Sequence, residues 1–189
     1  MNLRLALVVG QNVITFALAA LLGCATLSPQ EREAKRIELD KMGEKAIATL
    51  LETKPGLGEA FDKSIGYMGL DMTVTKIPMV GAGGGVGVVV DKRTNTRSYI
   101  KVTRFEVGGG LGVQKFKVIV FFNEGKLVDR VASGAWHYEA GAEAAAGSTS
   151  IEGAVTTTFS KGYQAYRLAE GGAAATITIR VAYAKPYLD

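Results

Sequence analysis

The rhythm of apolar and polar positions changes twice along the 189 residues. Residues 5–23 are almost unbroken apolar, interrupted by Gln11, Asn12 and Thr15. From Pro29 apolar residues recur at helical spacing, with Leu39, Met42, Ala46, Ile47 and Leu50 on one side, which predicts a helix over 29–52. Ser28-Pro29-Gln30-Glu31 starts it as a capping box: serine at the N-cap, proline at the first helical position, glutamate three residues on. Its polar side mixes Arg32, Lys35 and Lys45 with Glu31, Glu38 and Glu44, the pattern of a solvated face. A membrane-surface helix would be more purely basic. Pro55-Gly56 ends the helix, and a short second helix is expected over 57–64.

From Gly66 the period shortens. β-Branched runs at 72–77, 86–90, 97–105, 115–122, 154–159 and 174–184 read as strands. Asn95, Asn123-Glu124-Gly125 and Glu170-Gly171-Gly172 punctuate them, and 126–133 reads as a helix or helical turn. No long helical pattern separates the strands, which argues against a parallel sheet. The expected fold is α+β: a glycine-rich antiparallel β-sheet or barrel-like domain with an N-terminal amphipathic helix, one domain over 29–189.

Arg4 is the one charged residue before Glu31. A basic head, an apolar stretch and small residues at its end make a secretory signal. The stretch is near the lower limit for crossing a bilayer, so a retained transmembrane helix is the competing reading. Leu21-Leu22-Gly23-Cys24 resembles the lipobox of bacterial lipoproteins. That resemblance implies a signal peptide at 1–23, lipidation of the Cys24 thiol, a tether at 24–28, and acyl chains holding the protein on its membrane. Each buried methylene contributes about 0.8 kcal/mol to such an anchor. Ala25 stands where an aspartate would resemble an inner-membrane retention signal, which favours the outer membrane, facing the periplasm. Without the lipobox, Cys24 reads as a buried free cysteine.

Loss of Arg4 with the signal lowers the formal net charge from +4 to +3, too even a balance to indicate nucleic-acid binding. A lone cysteine allows no internal disulfide, so apolar burial must hold the domain. His137 is the single histidine. No Ser-His-Asp set or G-x-S-x-G is present, and Cys24 is consumed by lipidation. One histidine without a metal-type motif indicates no zinc site. His137 and Glu139 would share a face if extended, and Glu139 with Glu143 could exchange protons, but spacing alone assigns them no role. Neither an enzyme nor a cofactor is expected.

Two glycine clusters echo one another, GGGVGVVV from Gly83 and GGGLGVQK from Gly108, with a third small-residue stretch from Gly141. Phosphate cradling fails on spacing. There is no G-x-x-x-x-G-K-[ST], and Val86 and Val113 stand where G-x-G-x-x-G needs glycine. Glycines inside strands instead permit bends, bulges and close approach of backbones. The echo fits two successive strand pairs built alike.

From about Ala46 onward the layout resembles the SYLF domain family. The residues that carry the resemblance are SIGYM at 64–68, Pro78, GGGVGVVVD at 83–91, GGGLGVQ at 108–114, VIVFF at 118–122, SGAWHYEAGAEAAAG at 133–147 and KGYQAY at 161–166. The second cluster departs from the family's Gly-Leu-Gln-Gly order. The resemblance implies a compact, non-catalytic lipid-binding module with no catalytic residue to carry over. For head groups, Tyr99, Lys101, Thr103 and Phe105 share one strand face, as do Lys115, Lys117, Ile119 and Phe121. If the two runs pair, Lys101, Lys115 and Lys117 form a basic patch with aromatic neighbours, suited to anionic head groups. The alternative is an ordinary solvated sheet face.

The leading expectation is a lipid-anchored bacterial envelope protein whose SYLF-like domain binds membrane phospholipid. The second is an envelope lipoprotein that recognises a protein partner. The third, an integral outer-membrane barrel, needs strands of about 9–11 residues, longer than most of the runs.

Overall fold

A computed structural model describes residues 27–107, 111–139, 149–152, 155–160, 162–171 and 179–188. The signal-like segment, Cys24, Gly108 to Gly110 and Glu143 lie outside the described residues. The chain falls into two units, Met1–Glu33 and Ala34–Asp189. In the first, the capping box closes: the Ser28 amide donates to Glu31 Oε2 (2.7 Å) and the Glu31 amide to Ser28 Oγ (3.3 Å). Hydrogen bonding to the Ser28 backbone, then to its hydroxyl, holds the Glu31 carboxyl below its usual range.

Helix α1 runs Pro29–Thr53, one residue beyond the predicted end. Within the second unit its buried stripe is Leu39, Gly43, Ala46, Ile47 and Leu50. Gly43 takes the place expected for Met42, which is half-buried. A Cβ on Gly69 would lie 2.9 Å from Gly43 Cα, so helix and strand meet backbone to backbone. A 3-10 turn, Pro55–Leu57, leads into α2, Gly58–Lys63. Phe61 of α2 joins a ring cluster with Tyr67 (centroids 5.6 Å) and Phe121 (5.3 Å).

The strands are β1 Gly66–Ile77, β2 Val80–Asp91, β3 Thr96–Val107 and β4 Gly112–Phe122. After helix α3, Gly125–Ala132, come β5 His137–Glu139, β6 Thr149–Glu152, β7 Val155–Ser160, β8 Tyr163–Gly171 and β9 Ile179–Pro186. Every pairing is antiparallel, in the order β5-β9-β3-β2-β1-β4-β8-β7-β6. Among the described residues β5 and β6 are edges that do not pair, so the expected α+β fold takes the form of an open sheet and not a closed barrel.

Three expectations change. Strands β1 to β3 are 12 residues long and β4 is 11, longer than the apolar runs, and in β2 the extension beyond 86–90 is mostly the first glycine cluster. Strands β5, β6 and β8 are absent from the apolar-run reading. The glycine echo differs where both halves are described: Gly87 lies inside β2, whereas its counterpart Gly112, at φ +127°, opens β4.

The β2 glycines have a packing role. Gly81, Gly83, Gly85 and Gly87 pair with Lys76, Val74, Met72 and Leu70 of β1, all on one sheet face. A Cβ on Gly83 would lie 2.8 Å from Val74 Cγ2, and one on Gly87 2.7 Å from Leu70 Cδ2. The alternating glycines form a trough into which their neighbours' longer side chains lean. This inner face holds Met68, Leu70, Met72, Phe116 and Val120, and α3 covers one end of it with Val128 and Val131. The outer face presents Ile119, Phe121, Tyr166 and Leu168 to Ala46, Ile47 and Leu50 of α1. Each large apolar side chain so buried contributes about 1.5–3 kcal/mol. Among the described residues no helix is long and apolar enough to cross a membrane.

Candidate functional site

Lys101, Lys115 and Lys117 all lie on the outer face, but β3 and β4 do not pair. Strands β2 and β1 stand between them, correcting the expected juxtaposition. One row of paired residues runs Lys185, Lys101, Val86, Asp71, Lys117 across the sheet. Lys101 and Lys117 are thus three strand spacings apart, about 14 Å. Lys101 and Lys115 are exposed, as is Lys185, which spacing did not single out. Lys117 is mostly covered and faces Asp71 at 3.6 Å. The three lysines therefore border a wider surface.

That surface is apolar. Beyond the lysine row, towards the β1–β2 turn, the outer face carries Phe105 and Val113 in one paired row and Ile77, Val80 and Val107 in the next. Met79 in the turn and Leu111 before β4 extend it. All are exposed, from 47 % for Val80 to 70 % for Met79. Helix α1 packs over the opposite end of this face, against Ile119 and Phe121. Scattered exposed apolar residues are ordinary, whereas adjoining rows of them make this end a candidate binding surface. Lys115 lies two residues behind Val113 on the same face, roughly 7 Å.

The turn is built from unusual residues. Pro78 and Met79 join Ile77 to its partner Val80. Proline holds φ near −65°. Met79 has φ +77°, where a glycine or asparagine is the usual occupant. A legible signal was present in Ile77-Pro78-Met79-Val80, a hairpin turn without a polar residue.

Beneath this end, the inner face buries charge. Lys76 Nζ meets Glu106 Oε2 at 3.1 Å with both side chains 2 % exposed, and Arg104 Nη2 meets Glu106 Oε1 at 2.6 Å. The Gly81 position between Lys76 and Glu106 leaves room for both chains. Farther along lies a cavity of about 120 Å³. Met72, Val102, Val118, Trp136 and Ala165 line it, with Arg104 and Arg167. Both guanidinium carbons approach the Phe116 ring, at 5.2 and 4.2 Å from its centroid. Arg167 Nη2 also donates to Gln114 Oε1 (3.1 Å). Alternation puts Arg104 on the face opposite Lys101, but the cavity it lines is formed by several strands together and has no local signal.

His137 and Glu139 lie in edge strand β5, paired with Tyr183 and Val181 of β9. Among the described residues no group of three or more His, Cys, Asp and Glu side chains could hold a metal ion.

No protein-family model matches the chain. Among curated proteins it is similar to the Beta cell expansion factor A of Aeromonas veronii, with 25 % identity over 146 residues. The match takes in 77 % of this chain and 55 % of that protein, so the chain spans about half the relative's length.

Proposed function

We propose that this chain is a SYLF-type, lipid-anchored protein of the bacterial envelope that docks on phospholipid bilayers and catalyses no reaction. The observation that supports docking is the exposed apolar end of the outer face with lysines set behind it. An interfacial element buries its apolar side about 5–10 Å into the head-group boundary. Rows ending at Ile77 and Met79, with Lys115 roughly 7 Å behind Val113, suit that depth. Each lysine near an anionic surface contributes about 1 kcal/mol. The family reading rests on the motifs from Ser64 to Tyr166 together with the similarity to Beta cell expansion factor A. Lipidation of Cys24, and attachment to the outer membrane facing the periplasm, follow from Leu21-Leu22-Gly23-Cys24 and Ala25.

The test uses the full chain with Cys24→Ser and Met79→Cys, labelled at the new thiol with an environment-sensitive fluorophore. Phosphatidylglycerol vesicles should shift the emission to the blue, saturably. Phosphatidylcholine vesicles, or high salt, should shift it less. A label that stays in water while the chain sediments with vesicles would reject docking through this end. No sedimentation with any vesicle would favour the alternative, an envelope protein partner.

A further inference from the structure

The chain carries five methionines, four of them within the described residues, and the fold separates those four. Met68 and Met72 are 1 and 2 % exposed, inside the core of the inner face. Met42 is half-buried on α1, facing Val86 and Gly84 across a groove. Met79 stands out in water at the β1–β2 turn, with its backbone in the left-handed region. Glycine or asparagine would occupy that position without strain, yet the turn presents a thioether there. We infer that Met79 is a reversible oxidation site: a hydroperoxide converts its thioether to the sulfoxide, and the docking end then loosens its hold on the bilayer. The effect on docking rests on the function proposed above, whereas the selectivity of the oxidation does not.

The step is a two-electron oxygen transfer. A sulfur lone pair attacks one oxygen of hydrogen peroxide, and the S–O bond forms as the O–O bond breaks. The departing oxygen takes the proton of the transferred one and leaves as water. Sulfur is oxidised by two electrons and the peroxide is reduced by two. Approach needs open space around the sulfur, which Met79 has and Met68 and Met72 lack. The product is polar and chiral, and methionine sulfoxide reductases return it to the thioether, one enzyme for each epimer. Position makes the change count. Met79 lies between the exposed Ile77 and Val80 at the tip of the apolar rows, the part that enters the head-group boundary farthest. Once oxidised, it must carry a strong acceptor out of water, and burying an acceptor without a donor is costly. Pro78, beside it, has no N–H to offer that oxygen.

The test uses the full chain with Cys24→Ser, which removes the one thiol that would compete for oxidant. Dilute hydrogen peroxide is added without vesicles and then removed with catalase, and peptide mass mapping locates the added oxygen. Met79 should be oxidised first, Met42 later, and Met68 and Met72 last. In denaturant the four should react alike, which assigns the order to the fold. Sedimentation with phosphatidylglycerol vesicles should then weaken about tenfold, the apolar contribution of one buried methionine. Treatment with both reductases should restore it. Met79→Leu is compared only with its own untreated state, and peroxide should leave its sedimentation unchanged. The repair arm needs no variant, so it stands even where that substitution impairs folding. A peptide map in which Met79 reacts no faster than Met68 and Met72 would overturn the site, whether or not the chain docks. Undiminished sedimentation of chain fully oxidised at Met79, or an equal loss in Met79→Leu, would overturn the coupling to docking. An untreated chain that does not sediment would reject docking itself and the coupling with it, while the peptide map still decides the modification.

Discussion

At Met79 local strain and exposure coincide. Its φ of +77° is unfavourable for a residue with a Cβ, and its side chain is 70 % exposed. A left-handed backbone costs about 1–2 kcal/mol, and glycine would relieve it at an entropy cost of about 0.5–1 kcal/mol. Met79→Gly should therefore leave stability unchanged or raise it by up to about 1 kcal/mol in a denaturant titration. It should at the same time weaken sedimentation with anionic vesicles. A variant that binds vesicles as well as the parent chain would take Met79 out of the docking end. The buried ions behave differently. Glu106 receives both Lys76 and Arg104. Glu106→Gln leaves buried Lys76 and half-buried Arg104 against a neutral amide and should destabilise the fold by about 3–5 kcal/mol. Lys76→Met retains the Arg104–Glu106 pair and should cost less, which the same titration measures.

At the scale of elements, glycine decides how closely neighbours approach. Gly69 allows α1 to touch β1, and Gly69→Ala would put a methyl group 2.9 Å from Gly43 Cα. Backbone on both sides cannot step aside as a side-chain end can, so the substitution should destabilise by about 1–3 kcal/mol. Faster amide exchange should appear in α1 from Ala34 onward and in β1. An unchanged melting curve would show that the helix shifts without penalty. Helix α1 was legible because a capping box and an apolar stripe are local signals: Ser28, Glu31, Leu39 and Leu50 all behave as their spacing predicts. Gly43 was not legible, because a residue without a side chain leaves no mark in an apolar pattern. The same blindness shortens β2 to its apolar run at 86–90, although Gly81 to Gly85 are paired on both sides.

At the scale of the whole molecule, docking is an electrostatic and apolar contribution together. Lys101, Lys115 and Lys185 are exposed on the outer face. At about 1 kcal/mol each, replacing all three by glutamine should weaken binding to phosphatidylglycerol vesicles by up to about 100-fold. Lys117→Gln should change it less than the Lys115 substitution, because Lys117 already faces Asp71. At 1 M salt the screening length is about 3 Å, so parent and triple variant should converge in co-sedimentation. A difference that persists at that salt would mean the lysines act through folding.

Much was settled along the chain itself. Helix start and stop, the antiparallel class and the shared faces of Lys101 with Phe105 and of Lys115 with Phe121 follow from period, caps and turn residues. Each depends on atoms a few residues apart. What the tertiary structure decided is which strands are neighbours, and with that the site. Inserting β1 and β2 between β3 and β4 separates Lys101 from Lys117, brings Lys185 beside Lys101, and aligns Ile77, Val80 and Val107 into one apolar row. It also turns Arg104 of β3 and Arg167 of β8 towards a single ring of β4. Strand order is set by long-range packing across the sheet, through helices on one face and a glycine trough on the other, and no local spacing encodes it.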